Sequence, residues 1–137
     1  MKLKRIICGV DFSDHSVKAF QATVELARAM RAEVHLVHVI ESVPIVEKDV
    51  MALEEKARLA LEILVRQWGN TLDDGQLITT VTTGRAFDEL VHMARKLEAD
   101  LAVLGPRGIK LLEEPFIGTT TEHVLKKAPC SVLVVKN

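Results

Sequence analysis

Cysteine is scarce. The 137 residues include two, Cys8 and Cys130, near opposite ends of the chain and without a CxxC spacing. That pattern excludes a metal ribbon or a dithiol redox pair, and a reduced cytoplasmic setting is the expectation. Charge of one sign is also lacking, since 18 basic residues face 19 acidic ones for a net charge of -1. No global field therefore draws in nucleic acid or an anionic membrane, and a partner has to be recognised locally. Long hydrophobic runs are missing too. The basic start at Lys2, Lys4 and Arg5 precedes Ile6, Ile7 and Cys8, but Asp11 ends that run before it matches an export segment. Nothing approaches the roughly 18 apolar residues needed to span a bilayer. Neither a Walker loop nor a G-x-G-x-x-G fingerprint occurs, and there is no internal repeat.

What remains is one domain's worth of chain, residues 1–137, with 48% hydrophobic and 27% charged residues, enough to bury a core. Short β-branched runs alternate with longer segments of helical periodicity. Lys4–Val10, Glu33–Ile40, Gln76–Thr83, Asp100–Leu104 and Ser131–Lys136 read as strands, several of them so continuously apolar that both faces must be covered. Helices are predicted over Asp14–Arg31, Glu47–Trp68, Arg85–Leu97 and Thr119–Lys127. The first shows Val17, Phe20, Val24, Ala27 and Met30 on one face, with Ser13 or Asp14 as its cap. The second carries Val50, Leu53, Ala57, Leu61, Leu64 and Trp68 as a stripe read as core. Its charged side, Glu54, Glu55, Lys56, Arg58 and Glu62, is read as solvated surface. The order βαβαβαβαβ predicts an open parallel α/β sheet with helices on both faces.

In such a sheet, ligands bind beyond the carboxyl ends of the strands. The first strand ends in Gly9-Val10-Asp11-Phe12-Ser13. The fourth ends in Leu104-Gly105-Pro106-Arg107-Gly108, and Gly118-Thr119-Thr120-Thr121 follows at the start of the last helix. Glycines admit close approach to the backbone, and amides at a helix start favour an anion. Spacing alone leaves a second reading equally open, with Gly105 and Gly108 as turn glycines and Thr119 as a helix cap.

Taken together, Val10-Asp11-Phe12-Ser13, Leu36-Val37-His38-Val39-Ile40, the G-x2-G-x9-G-[ST] pattern from Gly105 to Thr119, and Ala128-Pro129-Cys130 followed by Ser131–Val135 resemble a universal stress protein domain over essentially the whole chain. The resemblance implies a single Rossmann-like, adenine nucleotide alpha hydrolase-like sheet of order 3-2-1-4-5. It also implies membership of the branch whose complete glycine motif binds ATP, ADP or AMP, with Mg2+ or Mn2+ accompanying the nucleotide. The implied binding set is Val10, Asp11, Val39, Leu104, Gly105, Arg107, Gly108, Gly118, Thr119 and Thr120. Asp11 and Val39 face the adenosine, while Gly118, Thr119 and Thr120 offer amides and a hydroxyl to the phosphates. No residue is assigned to catalysis or to a protein metal site. The expected partners are the nucleotide and a second copy paired through the apolar last strand. The expected role is regulatory, in the response to stress.

Two departures from the family pattern stand out. Pro106 removes a backbone donor after Gly105, and Glu113 and Glu114 bring negative charge into the loop, which Arg107 and Lys110 partly offset. A slow ATPase or phosphoryl-transfer enzyme with Thr119–Thr121 as acceptors, and a nucleotide-free interaction module, are the rival readings. Ser13 and Ser131 have no evident base. His38 reads as a hydrogen-bonded sheet histidine. Cys8 and Cys130, separated by a strand in the implied order, lie too far apart to bridge.

Overall fold

The β-branched runs pair and the amphipathic runs cover them. In this computed structural model, which describes residues 2–41, 47–108 and 117–136, the strands are β1 (Arg5–Gly9), β2 (Glu33–Glu41), β3 (Leu77–Gly84), β4 (Leu101–Leu104) and β5 (Ser131–Val134). The helices are α1 (Asp14–Met30), α2 (Glu47–Trp68), α3 (Ala86–Lys96) and α4 (Thr119–Lys127). All strands are parallel, in the order β3-β2-β1-β4-β5. The predicted sheet and its order are therefore found.

Period-two alternation divides the strands between two cores. Ile6, Cys8, Val34, Leu36 and Val103 pack with Phe20, Val24, Leu61 and Leu64 of α1 and α2. Ile7, Val37, Val39, Ala102 and Leu104 pack with Leu90 and Ala94 of α3 and Val124 of α4. Each large side chain so buried contributes roughly 1.5–3 kcal/mol. Burial pushes the Cys8 thiol up to about 12, with a hydrogen bond to Thr23 opposing, so Cys8 is a protonated hydrophobe at neutral pH. Both cysteines are free thiols. At the amino end of the sheet, Asp100 accepts hydrogen bonds from the Lys4 and Arg5 amides at 2.8 and 3.0 Å, joining the starts of β1 and β4. Those amides hold its carboxyl below the usual range.

Two predicted core stripes fray. Met30 is 46% exposed, at the last turn of α1. On α2, Ala57, Leu61 and Leu64 are buried, but Trp68 is 44% and Leu53 38% exposed. Periodicity identifies the inward face of a helix without saying where along its length the sheet stops.

Candidate functional site

The chain reverses its direction of winding between β1 and β4, which are adjacent although α1 leads from β1 to β2 on one side and β4 leads on to β5 on the other. Cys8 pairs with Val103, so Val10-Asp11 and Gly105-Pro106 leave the sheet side by side. Beyond them lies a cavity of about 930 Å³, within the range of small-molecule sites. All ten residues of the implied binding set line it.

They do so in different ways. Val10 and Leu104 frame the floor, and their backbone groups are taken. The Val10 N–H bonds to Val37 O and the Leu104 carbonyl accepts from Val135. Asp11 is half-buried, and its Oδ1 accepts from the amide and the hydroxyl of Ser13. Val39 contributes through its backbone. Glu33 N–H bonds to Lys4 O and Val37 O accepts from Val10, so alternate β2 residues turn both backbone groups toward β1. β1 ends opposite Val37, whereas β2 continues to Glu41. The N–H and C=O of Val39 thus face the cavity across a gap where no strand follows.

The glycines are fixed by protein atoms. A Cβ on Gly108 would lie 2.8 Å from Asp11 Oδ2, one on Gly105 3.1 Å from the backbone carbon of His15, and one on Gly118 3.0 Å from Arg107 Cα. Their absence of side chains first lets the loop after β4 nest against β1, α1 and α4. Gly118, not Thr119, is the N-cap of α4, and its own N–H bonds to Pro106 O at 2.7 Å, so that amide is not offered to a ligand. A glycine cap supplies no side-chain acceptor, which leaves the first-turn amides of Thr119, Thr120 and Thr121 without an intrahelical partner. The acid in the first turn of α4, Glu122, is exposed and pairs with Lys126 at 3.0 Å, so the three free amides ahead of it are what this helix start offers an anion. Arg107, half-buried, lies on the same wall. Thr119 is exposed and Thr120 half-buried, whereas Thr121 is 3% exposed and donates its hydroxyl to Gly105 O at 2.8 Å. Thr121 is a structural tie and not an available phosphoryl acceptor. Glu113, Glu114 and Lys110 lie outside the described residues.

Sequence reasoning missed part of the wall. Leu53, Lys56, Ala57 and Ala60 of α2 line the cavity, so Leu53 and Lys56, read as core and as solvated surface, both border the site. Phe12, Ser16, His38, Ile40, Ala86 and Leu90 do so as well. The position of His38 beside Val39 was the only signal that the sequence offered for it. Among the described residues no group of three metal-ligating side chains converges.

The sequence profile of the universal stress protein family matches residues 2–136. The chain belongs to that family. A curated member, universal stress protein MJ0531 of Methanocaldococcus jannaschii, is 32% identical, covering 97% of this chain and 82% of its own. Among solved structures, universal stress protein UspA from Lactobacillus plantarum superposes with a TM-score of 0.87 at 24% identity, covering 99% of each chain. A universal stress protein from Archaeoglobus fulgidus, in complex with dAMP, gives 0.70 at 21% identity over 99% of this chain and 100% of its own. These structures share the fold described above. No described helix is long and apolar enough to cross a membrane.

Proposed function

We propose that this universal stress protein binds an adenine nucleotide in the cavity at the β1/β4 switch point and acts as a regulatory module in the stress response. The observation that carries the reading is the opposition of two unlike ends in one cavity. One end is the uncapped start of α4 with Arg107 beside it, suited to phosphate. The other is the unpaired edge of Val39 between apolar walls from Ile40, Leu53, Ala57 and Ala60, suited to a flat base. An N–H beside a C=O complements adenine, whose ring N1 accepts and whose 6-amino group donates, and opposes guanine, where both polarities are reversed. Asp11, between the two ends, is a ribose acceptor in this reading. The dAMP-bound relative supports the ligand class. ATP, ADP and AMP all fit the proposal, with Mg2+ or Mn2+ held by the phosphates and not by a protein site.

Native mass spectrometry of protein purified without added nucleotide reads the ligand and its phosphate count together. Ligand at a hundred times its Kd adds about 2.7 kcal/mol of stability, so ATP with Mg2+ is expected to raise Tm clearly and GTP to raise it less. Equal shifts with both, or none at millimolar concentration, would refute adenine binding. We also propose a cytoplasmic homodimer paired along β5, an edge strand whose Leu133 is 36% exposed. Light scattering is expected to give twice the 15.2 kDa of one chain, and Leu133→Lys to return it toward one.

A further inference from the structure

We propose that His38 is a positioning residue that sets the aim of Asp11 through the peptide unit between Val10 and Asp11; the proposal rests on the nucleotide reading above. That corner is strained. Phe12, immediately after Asp11, has φ of 67°, the left-handed region that costs a non-glycine residue roughly 1–2 kcal/mol. Such a conformation persists only where its surroundings over-determine it. Within the corner, the Ser13 amide donates to Asp11 Oδ1 at 3.0 Å and the Asp11 amide donates to Ser16 Oγ at 3.2 Å. These contacts join the corner to α1 and would move with it.

His38 ties the corner to the sheet. Its Nδ1 lies 2.8 Å from Val10 O, and its ring packs against that of Phe12 with centroids 4.6 Å apart. A carbonyl only accepts, so Nδ1 carries the proton. Val10 O and Asp11 N belong to one planar peptide unit. With His38 holding the oxygen end and Ser16 the nitrogen end, that plane cannot turn, and the direction in which Asp11 projects from it is fixed. Asp11 Oδ2 then falls where only a glycine at 108 leaves room. His38 borders the cavity as well, but in this proposal its Nδ1 is spent on Val10 O and it acts on a ligand through Asp11.

Two measurements test this. In the unaltered protein, 15N NMR of the imidazole is expected to show the Nδ1–H tautomer for His38, and the Nε2–H tautomer would overturn the proposal without any variant having to fold. The second is a cycle of AMP affinities by calorimetry, each taken well below Tm. His38→Phe, which keeps a ring but loses the donor, and Asp11→Asn are each expected to weaken AMP about tenfold, the scale of one hydrogen bond to a charged group. The double variant is expected to bind no more weakly than Asp11→Asn alone. His38→Asn, which returns a donor near the place of Nδ1, is expected to recover affinity to within about threefold of the unaltered protein. Losses that multiply to about a hundredfold would show His38 acting on the ligand independently of Asp11, and a His38→Phe variant with lowered Tm and unchanged affinity would leave it merely structural; either result overturns the proposal. Failure of the nucleotide reading appears separately, as absence of AMP binding by the unaltered chain.

Discussion

The starts of α1 and α4 border the same cavity and are finished in opposite ways. At α1 the cap is Ser13, whose hydroxyl accepts from Ser16 N, and Asp14 adds an acid to the first turn. At α4 the cap is a glycine, the first-turn acid, Glu122, is drawn to Lys126, and the one threonine that turns inward, Thr121, serves the loop instead of the helix end. A side chain of the protein caps the first helix, and none caps the second. A helix start in a cleft is therefore not by itself an anion site; the side chain at its cap decides.

The comparison can be broken most severely at Gly118. Valine there meets Arg107 Cα and Cβ at 3.0 and 3.1 Å, so the loop after β4 must shift. No nucleotide binding by calorimetry and a Tm lower by a few degrees are expected. Thr119→Asp closes α4 electrostatically without crowding, since Thr119 is exposed. A carboxylate near the phosphates is expected to weaken ATP by about a hundredfold, the scale of like charges at close range. An acid in a first turn favours the helix, so Tm in the absence of ligand should hold or rise. Affinity and stability moving apart in this way would show that the open helix start serves the ligand.

Ser13→Ala sharpens the other side. Denaturant unfolding is expected to show a loss of about 1 kcal/mol, the usual worth of a cap, with a smaller effect on nucleotide affinity because Asp11 keeps the Ser13 amide. Thr119→Ala removes one hydroxyl and is expected to weaken ATP by about two- to tenfold in calorimetry. The smallest effect lies far from both helix starts, at Asp100. Its folded carboxyl is held below the unperturbed value of about 3.9 by the Lys4 and Arg5 amides. The stability it contributes is present above that value and is lost as pH falls through the folded value. Asp100→Asn should lower Tm slightly at neutral pH, and the difference from the unaltered protein should vanish in strong acid.

Most of the architecture was legible because each element carries its own signal. Val34 to Ile40 is apolar at nearly every position, as a strand covered on both faces must be, and α2 was found with its observed ends because Gly69 stops its periodic run. The site was legible as an inventory of residues and less so as contacts. Spacing located Gly105, Gly108 and Gly118, but their closeness to His15, Asp11 and Arg107 depends on elements up to about a hundred residues apart and leaves no local trace. Thr119 and Thr121 look alike in a run of three threonines, and only the helix turn makes one exposed and the other buried. Leu53 fits the stripe of α2 and yet borders the cavity, because periodicity carries no information about where the sheet beneath it ends.

The strand order has a consequence for how the protein is made. β1 is made before the other four strands of the sheet and lies at its middle, with β4 beside it contributed by residues 101–104. Asp11 therefore precedes the glycines at 105 and 108 by more than ninety residues, and the open end of α4 is the last part of the cavity wall to be made, with β5 still to follow. A chain cut short anywhere before residue 119 lacks that helix start, however well its early half has folded. Such late, long-range closure slows folding. The cavity is whole only once the turn after β1, the turn after β4 and the start of α4 have met.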